Sequence, residues 1–255
     1  MTMAGPRGER TYPASLTGRY EPSPSRGLWL VKWLLVIPHL IVLFFLLIAV
    51  AVTTIISGFA ILFTGRYPRS LFDFAVGVLR WGWRVAFYSY SALGTDEYPP
   101  FTLQRTNYPA DFDVVYPEHL SQGLVLVKWW LLAIPHYIIV GAITGSTWTV
   151  WSGGTDAGES SRGTSASLLG ALVIVSAFIL LFTGIYPRAM FDFIMGLNRW
   201  VWRVIAYATL LTDVYPPFCL DTGEWDSPIA PAGGPPPDAV AAGTPGEVDE
   251  GSEPA

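Results

Sequence analysis

A stretch of thirty residues, Phe59–Tyr88 (FAILFTGRYPRSLFDFAVGVLRWGWRVAFY), returns as Phe178–Tyr207 (FILLFTGIYPRAMFDFIMGLNRWVWRVIAY), with 18 of 30 positions identical. Whatever one copy folds into, the other must also fold into, so the chain is held to two versions of one unit. The duplication extends in both directions. Tyr12-Pro13-Ala14, Tyr20, Ser25 and Gly27 recur as Tyr108-Pro109-Ala110, Tyr116, Ser121 and Gly123; LVKWLLVIPH ending at His39 recurs as LVKWWLLAIPH ending at His136. Thr95-Asp96 with Tyr98-Pro99-Pro100-Phe101 recurs as Thr212-Asp213 with Tyr215-Pro216-Pro217-Phe218. The organisation expected is a tail at 1–11, repeat 1 at 12–104, repeat 2 at 105–220 and a tail at 221–255.

With 51% hydrophobic and 14% charged residues, the chain is far more apolar than a soluble domain, in which charged residues alone approach a quarter. In repeat 2, the apolar segments Leu124–Thr144 and Leu168–Thr183 flank a polar loop rich in Gly, Ser and Thr. Each is about long enough to cross a ~30 Å hydrocarbon core at ~1.5 Å per residue. Repeat 1 lacks the loop, which leaves Leu28–Thr64 as 37 nearly uninterrupted apolar residues. That is too long for one crossing and tight for two, and it reads as a hairpin turning between Leu46 and Thr54.

The third element of each repeat, Leu71–Leu93 or Met190–Leu211, carries charge. On a helix, Asp73, Gly77, Arg80, Arg84 and Tyr88 fall within about 80° of one another, flanked by Trp81 and Trp83; Asp192, Gly196, Arg199, Arg203, Trp200 and Trp202 repeat the pattern. Such a helix suits a membrane interface, with arginines among headgroups and tryptophans at the boundary. Two crossings per repeat put 14 of the 15 Lys and Arg on the N-terminal side and only Arg162 opposite, which agrees with the positive-inside tendency. Three crossings per repeat would invert the units. The fold class expected is therefore an all-α membrane protein of two tandem repeats, each a transmembrane helical hairpin plus an amphipathic interfacial helix, with short juxtamembrane β-strands; a six-crossing bundle is the alternative. The N- and C-termini are expected in the cytoplasm, and the chain in the plasma (inner) membrane as a multi-pass protein.

Tyr98–Leu103 and Ala110–Tyr116 are rich in aromatic and β-branched residues and joined by Arg105-Thr106-Asn107, as in a short hairpin. By internal symmetry, Tyr215–Leu220 would pair with Tyr12–Tyr20 in a small cytoplasmic sheet. The first 27 residues hold no apolar core of signal-peptide type, so the N-terminus is expected to be retained. From Asp221 the chain carries eight acidic residues, no Lys or Arg, and many Pro, Gly and Ala, the composition of a disordered acidic tail.

Charge in hydrocarbon costs at least ~2.5 kcal/mol at a helix centre, which makes Asp73, Arg80, Arg84, Asp192, Arg199 and Arg203 the first candidates for function. Arg80 and Arg84 lie one turn apart and repel, which an anion between them would relieve, and Gly77 and Gly196 would let an anion or another backbone approach. Two uses are open: binding an anionic lipid headgroup or an acidic partner, or a helix-anchoring ion network. Tyr67-Pro68-Arg69 and Tyr186-Pro187-Arg188 read as structural anchors that end a crossing and start the amphipathic helix. Lys32 and Lys128 are expected to snorkel. His39 and His136 each follow a proline inside an apolar segment and suit packing, with proton relay as the sharper alternative. No metal is expected, since a single cysteine and three scattered histidines offer no ligand cluster. No nucleotide loop or nucleophile elbow is present, so no catalytic residue and no cofactor are expected, nor is nucleic acid, because the basic residues are scattered.

The motifs YPE–LSxGLxLVKWxLxIPH, FTGxYPRxxFDFxxGxxRWxxRVxAY and TDxYPPF together resemble the bacterial membrane family catalogued as domain of unknown function 4389, in two tandem copies. The resemblance implies an integral inner-membrane protein and carries over no catalytic residue. The function expected is non-enzymatic: a lipid-binding protein or a scaffold or accessory subunit, with membrane lipids, anionic ones included, and a membrane partner or a second copy as its contacts. The alternative is a small transporter or channel subunit.

Overall fold

The long apolar run of repeat 1 does not turn back on itself. In the computed structural model, which describes residues 12–25, 27–144, 167–217 and 220, α1 (Leu28–Leu35) passes at Val36 into α2 (Ile37–Thr64), a single helix of 28 residues. The expected hairpin between Leu46 and Thr54 is thus replaced by continuous helix. The physical reason is local: LLIAVAVTT contains no Gly, Pro, Asn or Asp to reverse the backbone, and each further helical residue adds a hydrogen bond at no new nucleation cost. Pro38 falls at the start of α2, where its missing N–H costs little.

Both repeats punctuate their helices alike. α2 ends at Gly65, in the left-handed region at φ 69°, and α6 (Leu168–Thr183) ends at Gly184 at φ 74°; each glycine N–H donates to the carbonyl four residues back, Ile61 or Leu180. Only glycine adopts that conformation without strain, so both stops are written in the sequence. Pro68 and Pro187 then cap α3 (Arg69–Tyr88) and α7 (Arg188–Ala208). Repeat 2 reaches α6 through α4 (Gln122–Val127), a π-helical turn (Lys128–Leu132) and α5 (Ile134–Thr144). Aligned on His39/His136 and Thr64/Thr183, α5 and α6 occupy the register of α2, interrupted by 145–166. Their facing ends are joined: the Ser167 hydroxyl donates to the Ile143 carbonyl and accepts from the Gly170 N–H, both at 3.0 Å.

A two-stranded antiparallel sheet staples the repeats together, as expected, but with different partners. β1 (Ala14–Gly18) pairs with β2 (Ala110–Val114), its own counterpart, in the register Ala14↔Val114, Leu16↔Phe112, Gly18↔Ala110. Leu16 and Phe112 are equivalent residues lying opposite each other, so a pseudo-two-fold axis passes between them. Tyr98–Leu103 forms no strand; Pro99 and Pro100 cannot donate to a ladder. The buried face of the sheet packs on α3 and α7, where Trp202 meets Phe112 and the equivalent Trp83 and Trp202 meet at 5.8 Å. The tails at 1–11 and 221–255 lie outside the described residues, as does the polar loop at 145–166.

Among the described residues, α2 is long and apolar enough to cross a membrane, at about 42 Å by ~1.5 Å per residue; α6 is apolar but shorter.

Candidate functional site: the arginines at the sheet edge

The arginine pairs of α3 and α7 are buried, and each is turned toward the strand of the other repeat. Arg80 Nε donates to the Phe112 carbonyl at 2.9 Å, and its equivalent Arg199 Nε donates to the Leu16 carbonyl, the equivalent acceptor, at 3.1 Å. Strand edges with unpaired carbonyls invite pairing with another chain; here one guanidinium covers each edge at the pseudo-two-fold.

The two halves then diverge. Arg80 forms ion pairs with Asp111 at 3.1 Å and Asp113 at 2.7 Å, Arg84 donates to the Gln104 carbonyl at 2.9 Å and lies 3.6 Å from Asp111, and Arg105 pairs with both carboxylates from the solvent side. In β1 the residues equivalent to Asp111 and Asp113 are Ser15 and Thr17. Arg199 and Arg203 are equally buried, and Arg203 stacks over the Tyr12 ring at 5.4 Å while the Tyr12 hydroxyl donates to the Val214 carbonyl. Gly77 is filled by protein: a Cβ there would lie 3.0 Å from Leu103 Cβ and 3.2 Å from its carbonyl oxygen. Gly196 is likewise buried. An anion at Arg80 and Arg84 would have to displace two carboxylates already in place. The nearby cleft of about 700 Å³ is lined by Arg69 and Arg80 but also by Asp73, Asp113 and Glu118, a mixed set with no cationic excess.

Asp73 and Asp192 do not join this network. Each pairs one turn back, with Arg69 at 3.1 Å and Arg188 at 3.8 Å, and those arginines lie over Tyr116 and Tyr20. Tyr67 and Tyr186 are buried, the Tyr186 hydroxyl donating to the Ala92 carbonyl at 2.8 Å. Trp81 and Trp83 are also core residues, Trp83 donating to the Thr17 carbonyl, whereas Trp200 and Trp202 are half-buried. Of these groups, Trp83 meets Trp202 and Tyr186 reaches Ala92 across the repeats, while Trp81 and Trp200 pack within their own repeats.

Lys32 and Lys128 do not snorkel. Both are buried, and Lys32 Nζ meets Asp96 at 2.8 Å while Lys128 Nζ meets Asp213 at 2.9 Å. The second carboxylate oxygen accepts from the backbone N–H of Ser25 or Ser121, each at 2.6 Å, and the ammonium sits over Tyr88 or Tyr207. The recurring Thr-Asp motif thus clamps the last segment of each repeat to its first helix. Burial pushes the Asp96 carboxyl up, but Lys32 and the Ser25 N–H outweigh it and hold the carboxyl below its ordinary value.

His39 and His136 lie in separate aromatic cages. His39 stacks on Phe101 at 3.9 Å and meets Trp81 and Tyr98; His136 meets Trp200 and Tyr215. Tyr98, Phe101 and Tyr215 come from the Tyr-Pro-Pro-Phe motif, which explains its recurrence. Among the described residues no three His, Cys, Asp or Glu side chains gather to hold a metal. Sequence reasoning missed Asp111, Asp113, Asp96 and Asp213 as partners. Alternation in Ala110–Val114 would have placed both strand carboxylates on one face, but nothing local ties them to arginines thirty residues earlier.

A family model described as Domain of unknown function (DUF4389) matches residues 26–102 and 163–219, more than half of the chain. No curated protein and no solved structure matches it. One matched segment falls in each repeat, the second in the latter half of repeat 2, and the chain belongs to this family, in two tandem copies.

Proposed function

We propose that the chain is a non-enzymatic protein of the plasma (inner) membrane, lipid-binding or acting as a scaffold or accessory subunit, with hydrocarbon against α2, α5 and α6 and water against the sheet. The observation that carries this is the opposition of the two sides. Along α2 only His39, Leu43, Val50, Ser57 and Ile61 are buried, while large apolar residues from Leu40 to Phe63, the last 78% exposed, face outward. Apolar surface this extensive marks a membrane or protein contact. On the far side lie Arg105, Asp111 and Asp113, all partly or fully exposed.

The long axis of α2 bears on how it sits. α3 follows β2, with Phe72 at Tyr116 and Arg80 at Phe112, and α2 runs back along α3, with His39 at Trp81 and Tyr67, just past its end, at Phe72. Charged groups therefore accompany α2 along its length, which favours a helix embedded lengthwise from the cytoplasmic side, since a crossing would carry Arg80, Arg105 and both strand carboxylates into hydrocarbon. Both ends of the described chain then stay in the cytoplasm, in keeping with the contact of Tyr12 with Val214. Headgroup contact falls to exposed arginines such as Arg66.

The second reading, a multi-pass transporter or channel subunit, draws on the length of α2: several copies could turn their charged faces inward around water. Single cysteines at Arg66 and Glu97, exposed positions near opposite ends of the long apolar helix, separate the two in a Cys219→Ser background. A membrane-impermeant maleimide should reach both from the cytoplasmic side. Labelling from opposite sides supports the multi-pass reading, and recovery of the protein outside the membrane fraction defeats both.

A further inference from the structure

The duplication offers an internal control for a cavity, and at the C-terminal half of α2 the two repeats differ. Between the C-terminal half of α2 and the start of repeat 2 lies an open groove of about 440 Å³, floored by Gly58, Val125 and Leu210 and rimmed by Ile55, Leu126 and Tyr137. Leu210 enters it from a left-handed backbone, φ 64°, and its equivalent Leu93 has the same unusual conformation at φ 51°. Leu93 meets the corresponding part of α6, Ser176, Ala177 and Leu180, yet there no room is left even for a water-sized group. Ala177 stands where repeat 1 has Gly58.

From this asymmetry we infer that the groove at Gly58 holds one acyl chain of a membrane phospholipid, a site distinct from the arginine pairs. The chemistry of the lining selects the occupant. Apart from Thr54 and Tyr137 the lining is apolar, with no charged group to orient a soluble ligand, and its volume lies within the ordinary range for ligand sites. Its rim residues Ile55 and Leu126 are strongly exposed and belong to the outward apolar surface, so the groove opens where hydrocarbon would lie. A flexible apolar chain fills such a groove while its headgroup stays outside. An open cavity here would forfeit the contacts its counterpart makes, and the absence of a Cβ at Gly58 keeps it open: a Cβ would come within 3.4 Å of Leu210 Cδ1 and 3.8 Å of Val125 Cγ1.

This inference rests on the membrane reading above, and the test separates their failures. The full chain is reconstituted in vesicles containing phosphatidylglycerol with a photoreactive group at mid-chain, and cross-links are mapped by mass spectrometry. Ile55, Leu126 and Tyr137 should be labelled about fivefold more than Phe178 and Phe182, lipid-facing positions of α6 outside the groove; fivefold corresponds to ~1 kcal/mol of preference. Gly58→Leu, which fills the floor, and Leu126→Trp, which narrows the rim at an exposed position and spares the fold, should each bring groove labelling down to the α6 level while leaving α6 labelling unchanged. Equal labelling of groove and α6 in the wild-type chain, or enrichment that survives both substitutions, overturns the acyl-chain site but leaves the membrane reading standing. Absence of label from both α2 and α6 overturns the membrane reading itself.

Discussion

Repeat 1 and repeat 2 keep the same joints and differ in the spans between them. The Gly–Tyr-Pro-Arg turns, the lysine–aspartate clamps, the caged histidines and the arginines at the sheet edge recur at equivalent positions. What differs is α2, continuous in one repeat and interrupted in the other, and the strand faces, Asp111 and Asp113 against Ser15 and Thr17. The arginines seat each helix against the other repeat's strand, while the clamps and the histidine cages close each repeat on itself. The outward part of α2 touches little protein, so this span tolerates an insertion. On this account, symmetric changes at the joints have equal effects and symmetric changes in the spans have unequal ones.

The largest effect expected is at a joint. Asp96→Asn would leave the Lys32 ammonium buried without its counter-charge, a loss of about 3–5 kcal/mol, and Asp213→Asn should do the same to Lys128. Thermal unfolding in detergent micelles, read by near-ultraviolet circular dichroism, should place the two variants within about 1 kcal/mol of each other. A large difference would mean that the clamps are not equivalent and would break the comparison at its firmest point.

The spans should answer differently. Ala49→Pro removes a hydrogen bond in mid-α2 and drives the ring against the Phe45 carbonyl, at about 3 kcal/mol. Its equivalent in repeat 2 is Leu168, the first residue of α6 after the Ser167 cap, where proline loses nothing the helix needs. Leu168→Pro should therefore unfold with the wild-type midpoint. Equal damage from both would show that α5 and α6 act as one continuous helix.

A smaller change sharpens the comparison of the strands. The double substitution Asp111→Ser with Asp113→Thr gives β2 the hydroxyls of β1. Both carboxylates are about a third exposed, so their loss is screened and should cost about 1–2 kcal/mol. Arg80→Gln should cost more, since it also uncovers the Phe112 carbonyl.

How much of this was legible follows the same division. The duplication and the proline starts are local signals, and each reappears in the backbone at the expected place; the glycine stops at Gly65 and Gly184 are equally local but are not part of the sequence reading. The hairpin in Leu28–Thr64 came from a length argument, crossings of fixed size, with no turn residue to support it, and local propensity decided the matter. Of the expected strands, those at Ala14–Gly18 and Ala110–Val114 form, and they pair with each other rather than with Tyr215–Leu220 and Tyr98–Leu103. Pairing of β1 with its own copy is a choice made by the pseudo-two-fold, which brings two equivalent helices onto one sheet. The arginines stand out in the sequence by their charge, yet Arg80 and Arg199 find their partners on the other repeat, and charge alone does not tell a ligand site from a strand cap. Lys32 and Asp96 stand sixty-four residues apart for the same reason.

The smallest effect lies in the pH response of the Lys32–Asp96 clamp. The Asp96 carboxyl is held below its ordinary value because Lys32 and the Ser25 N–H favour its charged form over the opposing push of burial. A carboxyl depressed in the folded state binds fewer protons there than when unfolded, so its contribution is complete above the unfolded value of about 4 and is lost as pH falls through the lower folded one. Stability should accordingly be flat for this group between pH 7 and pH 5, with a decline that begins only below about pH 4. Comparing wild type with Asp96→Asn isolates it: the difference between their unfolding midpoints should be constant at neutral pH and shrink in acid. A difference that already narrows between pH 7 and pH 5 would place the clamp's proton on another group, and a constant difference down to pH 3 would mean that Asp96 holds the helix through the Ser25 hydrogen bond geometry rather than through charge.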